Sequence, residues 1–494
     1  MYFIGYDIGS SSIKAALVEA GTGKALAVVN APEKEMAILA PESGWAEQDP
    51  EDWWKYVCEA TRKLLKQTGV SASEIKGIGI SYQMHGLVLL DAEGRTLRNS
   101  IIWCDSRAVP YGAKAFEELG AEKCSEHLLN SPGNFTASKL KWVKEEEPET
   151  YARIHHFMLP GDYIAYRLSG SVNTTISGLS EGIFWDFKNH EIAGWLMDYY
   201  ELKRAHIPEI VPTFSEQGQV SLEGTAASGL APGTPILYRA GDQPNNALSL
   251  NVFRPGEVAA TGGTSGVMYA ITDSLSVKES SRVNNFAHVN YSADQAFIGK
   301  LLCINGAGIQ YRWLLNNLDV ASYEEMNALA DSVPIGSEGV VILPFGNGAE
   351  RMLNNRRVGT RILNINLNTH NKAHLCRAAL EGIAFSFVYG MEIMNSDGIT
   401  ARVIRAGDDN LFRSALFSRT IASLLGKEIE IYHTTGAIGA ARACLVNGSS
   451  LEAYGKQIKD NDFVMSYQPA TDIKAYRQAY QQWKKELESN IKTN

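Results

Sequence analysis

Three things missing from the sequence close off whole classes of function. No run of about 18 apolar residues occurs, so no segment reads as a membrane-spanning helix. Six cysteines (Cys58, Cys104, Cys124, Cys303, Cys376, Cys444) are scattered without CxxC spacing, which argues against a disulfide framework or a zinc site and for reduced thiols. Positive charge is not in excess: 46 Lys and Arg face 55 Asp and Glu, giving a formal net charge of −9. No general field would therefore gather nucleic acid or an anionic membrane, and neither is an expected partner. The opening MYFIGYDIG lacks a basic stretch and meets an acidic residue at Asp7, so it is not expected to be a signal peptide, and the cytoplasm is the expected location. There is also no low-complexity linker, so domains of this chain should share a substantial interface.

What is present is ordinary globular composition, 45% hydrophobic and 20% charged, over 494 residues. That length exceeds a single core and predicts at least two domains. Residues 2–18 read as strand, Gly/Ser turn, strand. Residues 51–67 carry Trp53, Trp54, Val57, Ala60, Leu64 and Leu65 at helical spacing, and a buried strand follows at 75–80. Helix and strand alternate again near the C-terminus, which predicts an α/β class. Residues 256–271, GEVAATGGTSGVMYAI, repeat the grammar of the opening about half a chain later. Such an echo predicts two similar domains facing one another, unless it is only two common turns. The expected division is 1–248 and 249–494.

Several polar residues follow apolar runs, where catalytic groups collect. Asp7 in YDIGSSS ends a strand beside Gly9, Ser10, Ser11, Ser12 and Lys14, an arrangement that suits Mg2+ and phosphate oxygens, or simply a hairpin turn. TGGTSG supplies Gly263, Thr264 and Ser265 as a second phosphate turn, so that two hairpins would clamp a polyphosphate. Asp242, after the strand ILYRAG, is placed to take a proton from an alcohol during phosphoryl transfer, or to cap the next segment. His85 in SYQMHG would donate to sugar oxygens, Asp105 in IIWCDSR would accept from hydroxyls, and Trp103 would pack on a sugar face; each also has a structural reading. IIWCDSR itself is expected to follow a hairpin through DAEG, residues 91–94.

Taken together and in this order, these segments resemble the FGGY family of carbohydrate kinases over nearly the whole chain. IGYDIGSSSIKAALV is similar to the family's first phosphate hairpin, SYQMHG to its sugar-binding segment and NFTASKLKWV, with Lys139 and Trp142, to its first signature. AGDQPNNA carries the family's catalytic Asp at Asp242, and GGTSG matches the second phosphate turn. FGNGAERMLNNRRVGTRI resembles the segment that usually reads GERTP, and RAALEGIAF and TTGAIGAARAC resemble the closing helices. The resemblance implies two actin/hexokinase-type domains, each with a ribonuclease-H-like core, and ATP with Mg2+ in the cleft between them. It implies Gln83, Met84, His85, Trp103, Asp105, Asp242 and Gln243 as sugar contacts, and Asp7 with Asp242 at the Mg2+, Asp7 through water. Gly407, Asp408 and Asn410 would serve the nucleotide. The implied reaction moves the γ-phosphoryl group of ATP to a terminal ketose hydroxyl, D-xylulose first. Ribulose, gluconate, glycerol or a purely regulatory binding role remain as alternatives, and a homodimer is left open as the assembly.

The chain departs from the family pattern at three points. RAGDDNLF keeps only Gly407 of the usual glycine run, and Asp408 and Asp409 restrict backbone approach. Cys104 replaces an Asn before Asp105, and Asn364 stands where the second signature has Gly.

Overall fold

The computed structural model describes residues 1–492. Strands β1 (Tyr2–Ile8) and β2 (Ile13–Glu19) pair antiparallel with Asp7 opposite Lys14, and β3 (Ala25–Ala31) extends the meander. Ile4, Tyr6 and Ile8, which share one face of β1, have no solvent exposure, so that face is fully covered. Helix α1 (Pro50–Thr68) starts where the Asp49 side chain accepts from Glu51 N–H and ends at Gly69, whose φ of 67° a Cβ would strain. Its buried face carries Trp53, Trp54, Val57 and Leu64. Fully burying each such side chain contributes roughly 1.5–3 kcal/mol. The chain returns as β4 (Ile75–Tyr82), parallel to β1, and later as β5 (Ile236–Gly241), parallel to β4. The sheet order is β3-β2-β1-β4-β5.

A long excursion separates β4 from β5. The expected hairpin through Asp91–Gly94 forms, with Asp91 N–H donating to Arg95 O at 3.0 Å, Leu97 N–H to Leu89 O at 2.9 Å and Leu90 bridging Thr96, and the strand before it, Val88–Leu90, also pairs with His156–Met158. Within the excursion lie helices α2 (Thr136–Glu146) and α3 (Ile176–Glu181), and β5 then runs directly into α4 (Asp242–Ser249).

The second half repeats the plan. Strands β6 (Glu257–Gly262) and β7 (Gly266–Thr272) form a hairpin. Next come β8 (Asn284–Ala287) and β9 (Ile298–Ile304), with helix α5 (Gly308–Asn317) after them. The 25-residue helix α6 (Lys372–Ser396) is apolar around most of its circumference, so it is buried there as a central helix. Strands β10 (Val403–Gly407) and β11 (Ile429–Tyr432) run parallel to β6, and β12 (Phe463–Tyr467) closes the edge. The order β8-β9-β7-β6-β10-β11-β12 contains the first sheet's order with one strand added at each edge. The repeated turn grammar is thus a repeat of topology.

Helix α7 (Gly436–Ala443) follows β11 and lies across the first sheet, not its own. A Cβ on Gly5 would stand 2.1 Å from Ala437 O, and one on Gly79 1.9 Å from Ala440 O, so only glycine permits this crossing. Ala16 and Val18 of β2 form one apolar cluster with Ala437, Ile438 and Ala441. Helices α4 and α7 also touch, Gly439 facing Ser249. Among the described residues no helix is long and apolar enough to cross a membrane.

Candidate active site

Asp7 at the end of β1 and Asp242 at the start of α4 line one cavity of about 230 Å³, together with Lys14, Gln243, Thr261 and Gly407. Two eight-residue helices, α4 and α7, open their N-terminal turns on it through Asp242, Gln243 and Gly436. Asp7 accepts from Ser81 Oγ at 3.3 Å, and a Cβ at Gly436 would stand 2.7 Å from Asp7 Oδ2. Burial raises the Asp7 carboxyl above its ordinary value, against the pull of Lys14 and Ser81. Asp242 is the first residue of α4, directly after Gly241 at the cap, and its carboxylate takes hydrogen bonds from the N–H and side chain of Gln243. Its carboxyl is raised to about 7, chiefly by burial and next by the charge of Asp7. A carboxylate poised at neutrality is suited to general base work.

The segment at 81–86 is held by Gln48, whose part sequence reading missed. Gln48 Nε2 donates to Ser10 O at 2.6 Å, while its Oε1 accepts from Trp53 Nε1 at 3.1 Å and Gln83 Nε2 at 3.4 Å. Met84 packs beneath Gly241. His85 has φ of 63° and lies against the rings of Phe135 and Phe286, at centroid distances of 4.8 and 5.3 Å. Burial lowers its pKa to about 3, so the ring is neutral. Nδ1 lies 2.9 Å from the Glu181 carbonyl and must carry the hydrogen, which leaves Nε2 as an acceptor. The expectation that His85 donates to a sugar oxygen is corrected accordingly. Lys139, fully buried on α2, donates to His85 O at 2.8 Å and Ile102 O at 3.0 Å, tying the 81–86 and 101–107 segments together. Burial lowers its pKa to about 7.

Trp103 is 54% exposed, not a core residue, and its Nε1 donates to Ser10 Oγ at 3.4 Å. Asp105 is a correction. It has no exposure, and its oxygens accept from Arg107 Nε, Arg107 N–H and Ala46 N–H at 2.6–3.0 Å, so it braces the loop with nothing left for a sugar hydroxyl.

At the first turn, Gly9 N–H donates to Ser12 O at 3.1 Å and Ser11 O accepts from Met36 N–H at 2.8 Å. Asp7 and Lys14 on either side line the cavity, whereas Gly9, Ser10, Ser11 and Ser12 do not. Gly263 and Thr264 of the second turn line another cavity, of about 300 Å³, with Tyr311, Arg312, Asn327 and Ser414. Ser265 is exposed and lines neither. Asp409 and Asn410 line both cavities, so the cavity at the second turn and the one at Asp242 are neighbours. Asn410 Oδ1 also accepts from Phe412 N–H at 3.1 Å. Asp408 is a third correction, since its carboxylate pairs with His433 Nδ1 at 2.8 Å and lines neither cavity.

Reading the sequence also missed Asn246 and Tyr323. Asn246 sits one helical turn after Asp242 on the same face and donates to Thr261 Oγ1 at 3.2 Å, a spacing that could have revealed it. Tyr323 stacks on Tyr311 at 5.7 Å but carried no local signal. Glu338, His370 and His374 gather ligand atoms within 4.8 Å of one another outside both cavities. His370 Nδ1 accepts from Asn366 N–H at 3.0 Å, which leaves the hydrogen on Nε2 and spoils that ring as a metal ligand.

Known proteins share this arrangement. The family model for the N-terminal domain of the FGGY family of carbohydrate kinases matches residues 2–249, and that for the C-terminal domain matches residues 258–448. The chain is 26% identical to the xylulose kinase of Escherichia coli strain K12 over 97% of its own length and 99% of the relative's. It is 28% identical to the L-xylulose/3-keto-L-gulonate kinase of the same strain, covering 93% and 91% respectively. The crystal structure of xylulose kinase from Rhodospirillum rubrum superposes with a TM-score of 0.87 at 25% identity, over 99% of both chains. Two matching domain models that together span most of the sequence, and a cleft with paired carboxylates between two repeated sheets, lead to one conclusion: the chain belongs to the FGGY family of carbohydrate kinases.

Proposed function

We propose that this sugar kinase transfers the γ-phosphoryl group of ATP to the terminal hydroxyl of a ketose, D-xylulose first, with Asp242 as the base. The observation that carries this reading is the position of Asp242, its carboxyl raised to about 7, in a cavity that shares Asp409 and Asn410 with the one lined by Gly263 and Thr264. Relatives named for xylulose and for L-xylulose and 3-keto-L-gulonate support a small polyhydroxylated acceptor. The proposed division of labour assigns residues 1–248 to the sugar and the first phosphate hairpin, and 249–494 to the nucleotide.

Phosphoryl transfer asks a protein mainly for positioning and for charge stabilisation. In this reading Asp242 accepts the hydroxyl proton while Gln243 holds its carboxylate, and His85 Nε2 accepts from a neighbouring sugar hydroxyl. Trp103 offers its exposed ring to the apolar face of the sugar. Lys14, the amides of the 263–264 turn and the first turns of α4 and α7 face the phosphates. Two half-buried carboxylates in one cavity, each raised above its ordinary value, fit a hard divalent cation such as Mg2+ bound through Asp7 and Asp242. When bound, that cation neutralises phosphate charge. Closure of the two lobes would expel water that competes with the sugar as acceptor.

The test is a screen of pentuloses, hexuloses, polyols and sugar acids by kcat/KM, with Asp242→Asn as control. The expected result is D-xylulose ranked first and a loss of at least about a hundredfold in kcat for Asp242→Asn, with sugar binding retained. Near wild-type turnover by that variant would remove Asp242 as base. A sugar acid ranked first would reassign the substrate.

A further inference from the structure

Glu350 and Arg351 are neighbours whose side chains grip different segments. Glu350 is 1% exposed, and its Oε2 accepts from Asn305 N–H at 2.8 Å and Gly306 N–H at 3.3 Å. The loop it holds leads directly into α5, where Gly308 N–H donates to Gly263 O at 2.9 Å and Ile309 N–H to Thr264 O at 3.0 Å. A Cβ at Gly308 would stand 2.3 Å from Gly263 O, so the 263–264 turn rests on this loop with no slack.

Arg351 turns to the sugar side. Its Nε donates to Ser281 O at 3.1 Å, and its guanidinium also bonds Asn284 Oδ1 on β8. Asn284 and Phe286 share one face of that strand, and the Phe286 ring lies 5.3 Å from His85. The same strand is fastened to the first half of the chain: Asn285 Nδ2 donates to Leu129 O at 2.8 Å, and Ala287 N–H to Ser180 Oγ at 3.0 Å. Strand β8 therefore feels any movement of the sugar-side wall, and Arg351 is its link to the segment that braces the phosphate turn. The fork of an arginine suits such a two-point grip.

We infer that Glu350 and Arg351 act as a positioning pair, carrying the placement of β8 against the sugar pocket to the 263–264 turn, so that sugar and nucleotide bind with coupled affinities. This rests on the functional reading above. Coupling of this kind is reciprocal and typically amounts to about 5–150-fold in affinity.

The experiment measures the Kd of D-xylulose by calorimetry with and without Mg2+ and a non-hydrolysable ATP analogue. It compares the wild-type chain, Glu350→Leu, Glu350→Gln, Arg351→Met and the double variant Glu350→Leu with Arg351→Met. The wild type is expected to bind sugar at least about fivefold more tightly with nucleotide present. In Glu350→Leu and Arg351→Met that ratio should fall below about twofold, and the double variant should fall no further, because the two act in series. Glu350→Gln should keep the wild-type ratio, since one amide oxygen can accept both N–H groups that Oε2 accepts. A brace that is merely structural would lower the melting temperature and leave the ratio intact, and that result overturns the inference. A wild type that phosphorylates sugar without coupling overturns it alone; a wild type that phosphorylates no sugar overturns the functional reading as well.

Discussion

Burial pushes Asp242 and His85 in opposite directions, and both shifts suit the chemistry. The Asp242 carboxyl at about 7 must lose its proton to serve as base, so activity is present above that pH and lost as pH falls through it. The pH profile of kcat/KM should therefore fall about tenfold per unit below pH about 7, and raising the Mg2+ concentration should move this limb to lower pH. A profile flat to pH about 5 would exclude Asp242 as the titrating group. His85, neutral down to about 3, should add no inflection near neutrality. Lys139 makes a separate prediction. Its ammonium ties the carbonyls of His85 and Ile102, so Lys139→Met should raise the sugar KM about tenfold or more and shift the ATP KM less than about threefold. Steady-state kinetics on both substrates checks this, and equal shifts would count against a sugar-side role. What the sequence allowed one to read at this scale was residue type and approximate place. It did not reveal orientation. Asp105 and Asp242 both follow apolar strands, yet Arg107 two residues on captures the first, while the second stays open to the cavity. Asp408 was diverted by His433, which is remote in sequence, and Gln48 acts through partners no local pattern links.

Elements were far more legible. Strand, turn and strand at 2–18 and 256–271 follow from apolar runs around glycine and small polar residues, and the helix at 50–68 from its spacing of Trp53, Trp54, Val57 and Leu64. The pairing of Val88–Leu90 with His156–Met158 was not legible, because ladder pairing across a long excursion is decided by tertiary packing. The crossing of α7 over the first sheet likewise hides in single glycines. Gly79→Ala would push a methyl group to about 1.9 Å from a backbone oxygen that cannot step aside. The expected cost is about 1–3 kcal/mol or more by urea unfolding, with turnover reduced because Gly436 beside Asp7 must shift with the helix. An unchanged midpoint would mean that the crossing is looser than it stands.

At the scale of the molecule, the two sheets repeat one plan, yet the halves are not separable parts. Helix α7 follows a strand of the second sheet and completes the apolar cover of the first, through Ala437, Ile438 and Ala441. Arg442 Nε reaches Gly23 O at 2.6 Å and Asn461 Nδ2 reaches Thr22 O at 2.8 Å, adding polar fastenings to the same face. A fragment ending at residue 248 lacks this cover and should bind a hydrophobic dye and aggregate, whereas co-expression with residues 249–494 should restore a soluble complex. A monomeric, cooperatively unfolding 1–248 fragment would refute this. Circular permutation or a split reporter would accordingly need its new ends on a surface loop well away from the midpoint, since severing the chain there divides its sequence without dividing its core.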